Sequence, residues 1–300
     1  MSALDAHVED YLRLRRALGF KLERHGLLLP QLVAYLEAAG ATTVTIEAAI
    51  AWARLPEQAR PNHWAARLAV ARGFARYLKT IDPETQVPPP GVFPARRHRP
   101  TPYLWSQEEI CGLLEGARAL RSPLRAATHE ALFGLLATTG MRIGEAVGLG
   151  RDDVDLSAGV ITIRQAKFDR SRLVPLHPST TAAMSRYTTR RDSLCPRPVG
   201  RPPSGAFFLS SAGTRLSRSG VDKTLRTITT SMGIRTATVR PRAHDLRHSL
   251  AVATLIGWLR AGVNVDEHMA VLSTYLGHVS PADTYWYLSA SPDRKMTGVA

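Results

Sequence analysis

The sequence predicts a mainly α-helical protein with a small antiparallel β-sheet, arranged as two domains. Three observations carry this reading. Apolar residues recur at helical spacing through residues 1–80 and again through most of 218–290. The spacing shortens to that of strands only around 160–176. A Pro-rich break at 82–102 separates the two regions. A length of 300 residues favours two domains, and each is long enough to bury its own core.

The first domain is taken as residues 1–90, a basic linker as 91–102 and the second domain as 103–300. Leu4, Val8, Tyr11, Leu12 and Leu18 mark one amphipathic helix. Leu28, Leu29, Leu32, Val33 and Leu36 mark a second, with Gly40 where a helix would end. Trp64, Leu68, Ala71, Tyr77 and Leu78 mark a third, whose opposite face carries Arg67, Arg72, Arg76 and Lys79. A charged helix face is usually just solvated, but four bases on one face also suit contact with phosphates. The Pro-rich segment is expected to be extended and semi-rigid. It carries Arg96, Arg97, His98 and Arg99, suited to a phosphate backbone or to a plain solvated hinge.

In the second domain, Ser106 and Glu109 form a capping box ahead of a helix. Residues 124–139 read as a buried helix closed by Gly140. Val160, Ile161 and Ile163 predict one strand, and Leu173, Val174 and Leu176 a second; Lys167, Asp169 and Arg170 lie in the turn between them. Residues 179–191 look helical, 195–205 form a Pro/Gly loop, and Phe207, Phe208 and Leu209 suggest a short strand. There is no internal repeat.

The formal net charge is +14, carried mostly by Arg and spread along the chain. That distribution favours a polyanionic partner, of which nucleic acid is the usual one. Cys111 and Cys195 fit neither a zinc motif nor a disulfide framework, which points to free thiols in a reducing cytosol. The N-terminus lacks the apolar core of a signal peptide, and no apolar run reaches membrane-span length. The expectation is an intracellular, soluble protein with no membrane partner.

Four separated segments carry the chemistry. TTGMRIGEAVGL (138–149) projects Arg142 from a turn after Gly140. RQAKFDRSRLVPL places Lys167 in the strand-to-strand turn. HDLRHS (244–249) sets His244 and Arg247 three apart, on one face of a helix. LGHVSPADTYWYL (276–288) puts His278 in a loop, and Ser280-Pro281 opens the helix that carries Tyr287. These residue types suit metal-free phosphoryl transfer. Two guanidiniums hold the nonbridging oxygens of a phosphodiester in fixed geometry without ever losing charge. Histidine donors complete the cradle. A tyrosine, with a reference pKa of about 10, becomes a nucleophile when nearby cations stabilise the phenolate. A lysine on a mobile turn can protonate the leaving 5′-oxygen. Each piece alone is ordinary; the order and spacing of all four make coincidence improbable.

Over residues 103–290 the sequence resembles the catalytic domain of the tyrosine recombinase, or phage integrase, family. The residues that carry the resemblance are Arg142, Lys167 before RLVPL, His244 and Arg247 in HDLRH, His278 in LGH, and Tyr287 nine residues later. The N-terminal helices are similar to that family's core-binding domain by pattern only. The resemblance implies a C-shaped clamp around duplex DNA, a 3′-phosphotyrosine intermediate that needs no metal, ATP or other cofactor, and strand exchange in a synaptic tetramer of this chain or beside related recombinases. The segment TYWYLSAS resembles integrases of mobile elements. Here QAKFDRS replaces the usual glycine-rich turn, which leaves Arg170 or Arg172 beside Lys167 as the general acid. Residues 289–300 are short and polar for a segment that docks on a neighbouring protomer.

Three rival readings stand beside this one. Asp152, Asp153 and Asp155 would suit a metal-dependent nuclease, although a polar turn leading into the strand at Val160 is the simpler expectation. A DNA-binding regulator without catalysis would not need the full active-site set. A type IB topoisomerase would share the chemistry without sequence-specific exchange.

Overall fold

The computed structural model describes residues 2–94, 101–166, 170–195, 204–277 and Thr284. The chain divides into two compact units, Met1–Arg99 and Pro100–Ala300.

The first unit is built from α1 (Ala3–Ala17), α2 (Glu23–Ala38), α3 (Ile46–Arg54) and α4 (Pro61–Leu78). Ser2 and Asp5 cap α1 reciprocally, and Pro61 starts α4 where its missing N–H costs nothing. Leu29, Leu32, Leu36, Trp52, Leu68, Phe74 and Leu78 are fully buried at its centre. Leu18 departs from the expectation: it follows the last turn of α1 and is 64% exposed.

The first part of the Pro-rich segment, up to Phe93, is strapped to the first unit. The Gln86 N–H donates to the Val44 carbonyl at 2.8 Å, and the Thr43 and Thr85 hydroxyls meet at 2.8 Å. Arg72 donates to the carbonyls of Pro88 and Pro89 at 2.8 and 2.7 Å, and Phe93 enters the core.

The second unit contains α5 (Gln107–Arg118), α6 (Pro123–Thr139), α7 (Ile143–Gly148), a 3₁₀ turn (Arg151–Asp153), β1 (Val154–Asp155), β2 (Val160–Ala166), β3 (Arg170–Pro175), α8 (Pro178–Leu194), α9 (Arg218–Ser231), α10 (Ala243–Arg260) and α11 (Val265–Leu276). The mainly helical class with a small antiparallel sheet is therefore the observed one. The three strands lie in the order β1-β2-β3, all antiparallel. Ile161 pairs with Val174 and Ile163 with Arg172, and the register shifts between Ile163 and Ala166. Side chains alternate across a strand, so Val174 and Arg172 share one face and Leu173 takes the other. Val174 is buried and Leu173 is 65% exposed.

Three expectations change here. Arg170 opens β3 instead of lying in the turn. Asp155 belongs to a two-residue strand, and its carboxylate accepts from the Ser157 and Ala158 N–H groups at 2.9 Å each. Phe207–Leu209 is not a strand: only single bridges, Gly150 to Ala206 and Leu209 to Arg215, flank the buried Phe207 and Phe208. Among the described residues, no helix is long and apolar enough to cross a membrane.

Candidate active site

Helix α6 is buried along most of its length and stops at Gly140, whose φ of 59° is the left-handed conformation open to glycine. A Cβ there would sit 2.9 Å from Leu250 Cδ2 and 3.0 Å from Leu276 Cδ2. The chain thus turns tightly against α10 and α11 and emerges at Arg142, the residue before α7. Glu145, in the third position of α7, accepts the Arg142 backbone N–H at 2.8 Å. This is the acidic half of a capping box, and it also brings the carboxylate to the arginine's own side chain, where Nη1 donates to Oε1 at 2.8 Å. The other amino group of Arg142, Nη2, donates to the Gly277 carbonyl at 2.7 Å. Arg215 secures the far end of α7, its Nη1 reaching the carbonyls of Val147, Gly148 and Leu149 at 2.9, 2.6 and 3.0 Å.

Helix α10 begins at Ala243, where buried Asp245 accepts from the Arg242 backbone and guanidinium, each at 2.8 Å. Its first turn carries His244, and Arg247 follows one turn later. Arg247 is buried and donates Nη1 to the Gly140 carbonyl at 2.8 Å, across a separation of 107 residues. His244 stays exposed. Partial desolvation of its ring, followed by the Arg247 cation, lowers its pKa from the ordinary histidine value; Arg242 and Arg142 add to this and Asp245 opposes it. The ring is therefore neutral near pH 7, with one nitrogen donating and one accepting. His248 packs edge-to-face on it, with centroids 4.6 Å apart.

Three of the six candidate catalytic residues thus lie in one place. Arg247 is anchored two residues from Arg142, Arg142 is anchored on the residue before His278, and His244 senses both charges. Lys167, His278 and Tyr287 lie outside the described residues. So do Arg96, Arg97 and Arg99. Tyr275, another tyrosine near the loop, is half-buried in α11; burial pushes its phenol above the usual value and Arg172 pulls it only partly back. It is a packed residue.

The basic face of α4 is not one face. Arg67 is buried, with its guanidinium 4.0 Å above the Trp52 ring and Nη2 donating to the Trp52 carbonyl at 3.2 Å. Arg72 holds the Pro88–Pro89 strap. Arg76 and Lys79 are exposed. The reason is length: an arginine stem lets the residue leave a helix at a polar position and still close over apolar surface. Asp153, one of the carboxylates that suggested a metal, accepts from the Gly150 N–H at 2.8 Å and pairs with Arg164 at 2.7 Å.

Sequence reasoning assigned no role to Glu145 or His248 and named Arg172 only as a possible acid. Glu145 is an acidic residue in the first turn of a helix, a position that suits accepting a backbone N–H, and His248 stands one helical turn from His244.

The phage integrase family profile matches residues 106–294. The chain belongs to the phage integrase family. This recombinase is 44% identical over 300 residues to y4rB of Sinorhizobium fredii, described as an integrase/recombinase, covering 98% of this chain and 95% of the relative. It is 36% identical over 225 residues to the tyrosine recombinase XerD of Mycobacterium leprae, covering 74% of this chain and 64% of that one. It is accordingly a site-specific recombinase of the tyrosine class. Among solved structures, the Tn1549 transposon integrase in complex with circular intermediate DNA superposes with a TM-score of 0.63 at 18% identity, over 94% of each chain. The XerH site-specific recombinase bound to difH substrate gives 0.60 at 18% identity, over 87% of this chain and 73% of that one. At these identities the two structures establish a shared fold.

Proposed function

We propose that this recombinase cleaves and rejoins duplex DNA through a 3′-phosphotyrosine intermediate, with Tyr287 as nucleophile. The observation that carries the reading is the mutual anchoring of three distant segments, Arg247 on Gly140 and Arg142 on Gly277. It gathers two guanidiniums, a neutral histidine and the loop leading to His278 around one point, which suits an anion whose charge grows during reaction. In this mechanism the Tyr287 oxygen forms a bond to phosphorus and the bond to the 5′-oxygen breaks. Arg142 and Arg247 hold the nonbridging oxygens, His244 and His278 donate hydrogen bonds to them, and Lys167 gives its proton to the leaving oxygen. The phosphotyrosine bond conserves the energy of the phosphodiester, so the step uses neither ATP nor a metal.

The N-terminal unit serves as the core-binding domain, with Arg76 and Lys79 on phosphates. The partners are double-stranded DNA and further copies of the chain in a synaptic tetramer, or related recombinases. The site of action is the bacterial cytoplasm, at the nucleoid. Tyr287→Phe tests the core of this: folding and DNA affinity persist while the covalent protein–DNA band on a denaturing gel disappears. The wild-type band forms in EDTA. A band that persists in Tyr287→Phe and vanishes in Tyr285→Phe moves the nucleophile to Tyr285.

A further inference from the structure

We propose that Arg172 is a positioning residue for Arg142, acting through Glu145 and Gly277. The inference rests on the recombinase reading above and concerns how its arginine cradle is kept in shape.

Arg172 occupies a core-facing position of β3, directly opposite Ile163 and on the same face as buried Val174. A guanidinium on that face needs a partner, because an unpaired buried charge costs several kcal/mol. The partner is Glu145. Arg172 Nη1 donates to Oε1 at 3.0 Å and Nη2 to Oε2 at 2.8 Å, a bidentate fork whose side chains are 13% and 12% exposed. The same carboxylate holds Arg142 through its backbone N–H and Nη1. Burial would raise the Glu145 pKa, but the hydrogen bonds from Arg172 and the Arg142 backbone bring it below the ordinary value, so the carboxylate stays charged.

The second link runs through Gly277. Its φ of 69° ends α11, and a Cβ on it would lie 2.5 Å from Arg172 Nη1 and 2.6 Å from Cζ. The Arg172 guanidinium therefore lies directly against this glycine, whose carbonyl accepts Arg142 Nη2. Arg142 is thus held at two ends, by Glu145 and by Gly277, and Arg172 touches both holders. Without Arg172 the Glu145 carboxylate is free to fork onto Arg142 itself, which would turn that guanidinium away from a phosphate. The geometry also removes Arg172 from the general-acid role: it is forked onto a carboxylate, and a guanidinium does not give up its proton.

The test uses the full-length chain and single-turnover cleavage of a nicked DNA substrate, read as covalent adduct, with either a 5′-oxygen or a 5′-thiol leaving group. Arg172→Met is expected to slow adduct formation about 10²-fold, as a displacement of about 1 Å in a positioned group does. DNA affinity stays within about threefold, because the residue does not reach solvent-side phosphates. Arg172→Lys, which keeps the charge and loses the fork, falls between Met and wild type. The Met defect persists with the 5′-thiol. In a Glu145→Gln background Arg172→Met adds little, since the two act as one unit. Rescue by the 5′-thiol would make Arg172 the proton donor and overturn the proposal, as would cleavage by Arg172→Met at the wild-type rate. If Arg172→Met fails to fold, Arg172→Lys carries the same comparison: a tenfold or greater loss that the thiol does not rescue supports the proposal, and an unchanged rate overturns it. A wild-type chain that forms no adduct overturns the recombinase reading itself, and this inference with it.

Discussion

Gly140→Ala combines two costs that the structure lets one add. At φ 59° an L side chain is strained by about 1–2 kcal/mol. The new methyl would also lie 2.9 Å from Leu250 Cδ2 and 3.0 Å from Leu276 Cδ2. Leu276 is fully buried and has little room to retreat, so overpacking contributes about 1–3 kcal/mol. The sum is about 2–5 kcal/mol. For a unit near 200 residues each kcal/mol lowers the melting temperature by about 2–4 °C, so a mid-range loss amounts to roughly 7–14 °C. Scanning calorimetry of the full chain reads this directly, with the N-terminal unit's own unfolding as an internal reference. The same substitution moves the carbonyl that anchors Arg247, so adduct formation on a nicked DNA substrate falls as well. Gly134→Ala, in the same helix, is the control: its Cβ meets Leu114 Cδ2 at an ordinary 3.9 Å, and a helix-interior alanine gains about 0.5–1 kcal/mol. A Gly140→Ala protein that melts within about 1 °C of wild type and cleaves at its rate would refute the reasoning.

Three further outcomes follow from individual side chains. Burial pushes the His129 pKa down to about 4 from 6.5, so the unfolded chain binds a proton that the folded chain refuses. Stability from this residue is full above pH 6.5 and falls by up to about 3 kcal/mol as pH drops toward 4; His129→Leu flattens that decline in urea titrations at several pH values. Arg67→Gln destabilises the first unit without changing the salt dependence of DNA binding, whereas Arg76→Ala with Lys79→Ala flattens the slope of log K against log[salt] by about 2, the worth of two phosphate contacts. A thermal melt and a salt titration separate the two, and a flattened slope in Arg67→Gln would return that residue to the DNA face. Lys167→Ala loses cleavage on ordinary DNA and recovers it on a 5′-thiol substrate; no recovery removes Lys167 from the general-acid role.

Much of this molecule is local enough to be legible in one dimension. A helix is set by periodicity over four residues, by a cap and by a stop, so the capping box at Ser106 and the glycine stops at Gly40 and Gly140 were readable in place. The order of Arg142, the His244–Arg247 pair, His278 and Tyr287 was readable for a similar reason. Each sits in a short segment whose residue types suit one chemical task.

Tertiary structure alone decided which neighbours share a charge and which side chains turn inward. The pairing of Ile161 with Val174 and Ile163 with Arg172 aims Arg172 at the core and Leu173 at solvent, against their hydropathies, because a strand has only two faces and its side chains alternate between them. Arg67 looked like a surface base until Trp52, fifteen residues away, supplied a ring and a carbonyl for it. The prolines of residues 85–93 predicted extended chain, but extended chain still offers carbonyls, and only the fold placed Arg72 to take them. Helical periodicity reports contacts within one turn. The links from Arg247 to Gly140 and from Arg142 to Gly277 span 107 and 135 residues, and only the folded chain brings their ends together.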